Sequence, residues 1–90
     1  MPDKHALLSS FPNPFNPETT LRYDLAENGH VKLAIYNTIG QEVATLVDRF
    51  ESAGRHQITW SGEDHPAGVY FARLTVGNEP AQTQKLILVK

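Results

Sequence analysis

The chain has 90 residues, 40% hydrophobic and 20% charged; 8 Lys plus Arg stand against 10 Asp plus Glu, for a formal charge of -2, and there is no Cys. This length holds one domain, and the missing cysteines exclude a disulfide framework and any thiolate metal site. The balance of charge leaves no basic field for general nucleic-acid binding, and no apolar run nears the roughly 18 residues of a membrane-spanning helix.

The start, Met1-Pro2-Asp3-Lys4-His5, is polar. It lacks the apolar stretch of a secretory signal peptide, so residues 1–6 read as a linker or an added start and residues 7–90 as the domain. Ala6-Leu7-Leu8 offers a short first strand. Phe11-Pro12-Asn13-Pro14-Phe15-Asn16-Pro17 then breaks the pattern. Its prolines remove backbone donors and fix φ near -65°, and each pushes the residue before it toward extended geometry. Asn13 and Asn16 suit Asx-turns. Phe11 and Phe15 supply apolar anchors, so the segment reads as a rigid, extended clasp lying against the domain. A polyproline ligand is the lesser reading, because Pro12 and Pro14 do not have PxxP spacing.

Beyond the clasp the period is 2. Leu21, Tyr23 and Leu25 share a face of Thr19–Leu25, and Val31, Leu33 and Ile35 share a face of the run from His30 to Tyr36. Asn28-Gly29 between these runs is a hairpin signal. After the turn at Asn37–Gly40, the run from Gln41 to Phe50 fits both periods. Its β-branched residues and the flanking Gly40 and Gly54 favour a strand. The run from Arg55 to Trp60 places His56, Ile58 and Trp60 on one face. The loop Ser61–Gly68 leads into Val69–Val76, where Tyr70, Ala72, Leu74 and Val76 share a face. A turn at Gly77–Pro80 precedes the last strand, from Gln82 to Val89. Six or seven strands at this spacing predict an all-β antiparallel β-sandwich of two sheets. Its expected core holds Leu33, Ile35, Ile58, Trp60, Tyr70 and Leu74.

Little in the chain suggests chemistry. His5, His30, His56 and His65 lack ligand spacing, no serine sits in a nucleophile elbow, and the carboxylates are scattered. The expectation is a non-enzyme with no cofactor and no metal site. Tyr36 and Phe71 fall on outward faces, which leaves a carbohydrate-binding module as one alternative; a structural immunoglobulin-like spacer is another.

Several segments, in order, resemble a known family. They are Phe11–Pro17 with Thr19–Tyr23; Val31–Tyr36 with Gly40–Val47; Gly54-Arg55-His56 with Ile58-Thr59-Trp60; Pro66–Tyr70, a Gly-x-Tyr motif; and Lys85–Lys90. Together they resemble the C-terminal sorting domain (type A) of the type IX secretion system. The stretch from Val31 to Leu74 is also similar to the immunoglobulin-like domain of the flagellar hook-capping protein. The resemblance implies a non-catalytic secretion signal carried behind a covalently attached cargo. It implies recognition by an outer-membrane translocon and a shuttle protein, and in many members a surface sortase that cuts upstream, here at or before Met1–Ala6. It also implies passage through the periplasm to the cell surface or medium. Neither nucleic acid nor a transmembrane segment belongs to this picture. Gly68, Tyr70, Lys85 and Lys90 are the recognition candidates, and Pro12 to Pro17 the structural motif. Gly68 suits a backbone turn, and Tyr70 a buried ring whose hydroxyl needs a partner. A terminal strand at a sheet edge would offer free backbone groups to a receptor strand, bounded by Lys85 and Lys90.

Overall fold

A computed structural model describes residues 6–90. Among them the chain forms seven strands: β1 (Ala6–Phe11), β2 (Glu18–Leu25), β3 (Gly29–Tyr36), β4 (Glu42–Glu51), β5 (Gly54–Ser61), β6 (Gly68–Val76) and β7 (Gln82–Leu88). They build two antiparallel sheets, ordered β1-β2-β5 and β4-β3-β6-β7. The ambiguous run after Gly40 is a strand, and Ala6-Leu7-Leu8 opens a longer one that reaches Phe11. Apart from Ala6, the proposed linker lies outside the described residues.

The period-2 pattern sets the two layers. Leu21, Tyr23 and Leu25 from one sheet meet Val31, Leu33, Ile35, Tyr70, Ala72, Leu74, Leu86 and Leu88 from the other. Fully burying one such aliphatic side chain is worth about 1.5–3 kcal/mol, so this shared interior is the main source of stability. Of the expected core, only Ile58 is partly exposed, packed against the cluster from β5.

One expectation fails. Asn28-Gly29 does not close a hairpin, because β2 and β3 belong to different sheets. Neither residue has the positive φ a primed turn needs. Instead the Asn28 side chain accepts a hydrogen bond from the Ala53 amide at 2.8 Å. It thereby ties this crossover to the β4–β5 turn, which also passes between the sheets. Both faces that alternate on either side of Asn28-Gly29 are buried against each other, which a hairpin within one sheet would not achieve.

Pairing register defines two poles. Phe11, Glu18, Tyr36, Glu42, Ser61, Gly68 and Leu88 mark one. The chain enters β1 at Ala6, at the opposite pole, where Leu25 pairs with Gly54 and Gly29 with Glu51.

Candidate functional site

The clasp seals the edge of the last strand. β7 lies at the edge of its sheet, paired by β6 on one side only. Its outer groups from Lys85 to Val89 are nevertheless occupied. The Asn13 side chain behaves as a surrogate peptide group: Nδ2 donates to the Lys85 carbonyl at 2.9 Å, and Oδ1 accepts from the Ile87 amide at 3.0 Å. The Phe15 amide donates to the Ile87 carbonyl, and the Val89 amide to the Phe15 carbonyl, both at 2.9 Å. The idea of free edge groups along this part of the strand is therefore corrected. A proline-rich segment seals an edge well: it satisfies the strand yet presents few donors of its own to a further one.

The clasp differs from its expected form in three ways. It is a series of bends rather than an extended run, and its three X-Pro bonds are cis. Asn13 bonds a strand more than seventy residues away instead of its own turn. Only Phe15 is an anchor, 1% exposed in the core, whereas Phe11 is 78% exposed. The Thr19 hydroxyl, buried, donates to the Pro12 carbonyl at 2.8 Å and fixes the exit into β2.

Behind the clasp stands an aromatic cluster. The Trp60 ring lies 5.6 Å from Phe15, 5.4 Å from His65 and 5.4 Å edge-on from Tyr70. Such tilted pairs add stabilisation beyond simple area burial. His65 is half-buried, and its neighbour Asp64 is exposed. The Tyr70 hydroxyl finds its partner in the Pro66 carbonyl at 2.5 Å, closing the loop that carries His65. Gly68 has φ 149°, a conformation L side chains rarely adopt, with open space around its Cα. It turns the chain from that loop into β6. Gly62 approaches the last strand so closely that a Cβ would stand 2.7 Å from Leu88 Cδ2. Its amide donates to the Pro17 carbonyl at 2.7 Å. The Lys90 ammonium donates to the Glu63 carbonyl at 3.1 Å, while Lys85 is exposed on the outer face of β7.

Sequence reasoning named Gly68, Tyr70, Lys85, Lys90 and Pro12–Pro17 as separate motifs; the fold gathers them at one pole. It missed Gly62 and the reach of Asn13. The only sequence signal for Gly62 was its place in a turn-rich loop.

At the opposite pole, Glu51 points inward and is 9% exposed. It accepts a short hydrogen bond from the Tyr23 hydroxyl and one from Arg49 at 3.3 Å. The His56 ring stacks on Tyr23, with centroids 5.4 Å apart, and its Nδ1 lies 3.8 Å from Glu51. Burial first, and then the hydrogen bond to Glu51, push the Tyr23 phenol well above its ordinary value. On the outer face of the larger sheet, Tyr36 and Phe71 pair across β3 and β6 beside a depression of about 300 Å³. The Arg73 guanidinium already lies 5.9 Å over the Tyr36 ring, and the Tyr36 hydroxyl donates to Glu42. That commitment of ring and hydroxyl disfavours a sugar-stacking platform. Among the described residues, no three potential metal ligands are gathered, and no helix is long and apolar enough to cross a membrane.

The fold is a small two-sheet β-sandwich whose proline segment, Gly-x-Tyr loop and terminal strand meet at one pole. The family model for the secretion system C-terminal sorting domain matches residues 9–90, and the chain belongs to that family. Its function is that of a C-terminal sorting signal for type IX secretion, which delivers attached cargo to the cell surface or the medium. The family is non-catalytic in general and works with the secretion machinery. No curated protein matches the chain.

Proposed function

We propose that this domain is read in its folded state by an outer-membrane translocon and a shuttle protein, after its cargo has crossed the periplasm, and that the clasp pole is the surface read. A surface sortase acting upstream of the domain is the third proposed partner. In this reading the domain itself performs no catalysis. Gly68 and Tyr70 shape the pole through backbone conformation and the closed loop, while Lys85 and Lys90 supply its cations.

The observation that carries this reading is convergence. The proline segment, the Trp60 strand, the Gly-x-Tyr segment and the terminal strand lie far apart in sequence and pack together around Phe15 and Leu88. Such a surface exists only when the domain is folded.

The test is a reporter fused ahead of the domain in a bacterium that carries the secretion system. Deleting Lys85–Lys90 should leave the reporter in the periplasm. Because that deletion also removes core residues, Lys85→Ala with Lys90→Ala is the companion variant and should lower surface delivery in a chain that still folds. Normal delivery by both variants overturns the reading.

A further inference from the structure

Arg73 is exposed on the outer face of the larger sheet, with its guanidinium 5.9 Å over the Tyr36 ring. The Tyr36 hydroxyl donates to Glu42, so the ring beneath the guanidinium is held in place. A guanidinium stacked on an aromatic face keeps its N–H edge for a further acceptor. Beside it lies the depression of about 300 Å³, whose lining includes Tyr36, Thr38, Gly40, Phe71, Arg73 and Thr83. One rim is fixed in advance: the Asn37 side chain accepts from the Ile39 and Gln41 amides, at 3.1 and 3.0 Å, and holds the β3–β4 turn.

Pairing register adds a second cation. Phe71 stands opposite Lys85 and Arg73 opposite Thr83, so Lys85 is a diagonal neighbour of Arg73 on the same face. The acids that register sets on this face are already taken. Glu42 accepts from Thr45 and Tyr36 and meets the Lys32 ammonium at 3.1 Å, and Asp48 pairs with His30 at 2.6 Å. Among the described residues, neither Arg73 nor Lys85 has a carboxylate partner. Two uncompensated cations thus flank one small depression, in a chain whose net charge is -2. A depression of about 380 Å³ on the smaller sheet differs: it holds Arg22 and Arg55 but also Asp24, whose carboxylate lies 3.9 Å from Arg55.

We infer that the depression beside Arg73 is a binding site for a small organic phosphate, its phosphate monoester group held by Arg73 and Lys85 and its apolar part lying against Phe71. Near neutral pH a phosphate monoester carries close to two negative charges and three acceptor oxygens. The two cations match that charge. The Arg73 fork suits a bidentate contact, and the hydroxyls of Thr38 and Thr83 add donors. Half-buried Phe71 offers a flat apolar neighbour, whereas the Tyr36 ring is covered by Arg73. This binding is separate from sorting and is read on the chain alone.

The test is an NMR titration of the 90-residue chain with phenyl phosphate at neutral pH and constant ionic strength. The Arg73, Thr83 and Thr38 amides should shift together and saturate, with a dissociation constant on the order of 1 mM, as for a few charge-assisted contacts at a surface. Arg73→Gln should weaken binding roughly tenfold and Lys85→Gln about threefold. Arg22→Gln, which removes an exposed guanidinium from the other sheet, should leave it unchanged. Thermal unfolding of each variant checks that it folds. Inorganic phosphate should bind more weakly than phenyl phosphate, because it has nothing to lay against Phe71. Shifts that never saturate, equal shifts with sodium chloride, undiminished binding by Arg73→Gln, or inorganic phosphate binding as tightly as phenyl phosphate overturn the inference. So does equal weakening by Arg22→Gln, the sign of a general charge effect. Binding to vesicles containing phosphatidic acid without any response to phenyl phosphate assigns the face to a membrane surface and also overturns it.

Discussion

Tyr23 and Glu51 show how a buried polar pair locks the pole where the chain enters β1. Glu51 faces inward from the end of β4, where an unpartnered carboxylate would be costly. The Tyr23 hydroxyl, Arg49 and the stacked His56 surround it. Tyr23→Phe should therefore destabilise the domain by about 1–3 kcal/mol, since it leaves a buried acceptor short of a donor. Urea unfolding at neutral pH measures this. The pH dependence has a defined sign: the folded-state phenol is raised above its ordinary value of 10.0. Its contribution is fully present below that value and is lost as pH rises through the higher folded-state value. Alkaline unfolding of the wild type should show this loss, and Tyr23→Phe should remove that component. Glu42 behaves oppositely on the surface: hydrogen bonds from Thr45 and Lys32 hold its carboxyl below the usual range.

Among the elements, the open strand edges are the informative feature. The four edge strands are β1, β5, β4 and β7. β1 carries an irregular register between Leu7 and Ser9 and ends at a proline. β4 carries two such irregularities and the charges of Glu42, Asp48 and Arg49. β5 presents alternating polar residues with His56 turned inward. These are ordinary ways to blunt an edge. β7 is protected by an acquired neighbour, the clasp. Asn13→Ala should remove both side-chain bonds to β7 and cost about 1–3 kcal/mol in total at roughly 1 kcal/mol or so per bond. Hydrogen exchange is the sharper measurement. The Ile87 amide should lose protection, while the Phe15 and Val89 amides, bonded through the backbone, should change less. Unchanged exchange at Ile87 would show that Asn13 does not guard the edge.

For the whole molecule, the chain enters β1 at Ala6, and the proline segment, the Gly-x-Tyr loop and the terminal strand meet at the other end. That far pole depends on close contact between the Ser61–Gly68 loop and the terminal strand. Gly62→Ala should drive a methyl group into Leu88 and cost about 1–3 kcal/mol, as overpacking does. A combined Gly62→Ala, Leu88→Val chain should recover part of that loss, measured by thermal unfolding. Failure of the smaller residue to restore stability would place the defect elsewhere than in this contact.

Sequence by itself determined the all-β class, the strand positions, the inward faces and, through an ordered set of motifs, the family. Local pattern carries these because a strand's period of 2 and its turn residues are short-range properties. Sheet membership was another matter. Asn28-Gly29 has the composition of a hairpin turn, yet the two apolar faces beside it are buried only if the chain crosses between sheets. Asn13, Gly62 and His65 likewise gained their roles from partners distant in sequence or from a loop closed by Tyr70. The last strand read from Gln82 to Val89 is β7. Only the tertiary structure decided that its outer edge is sealed, because the seal is made by a segment more than seventy residues earlier in the chain.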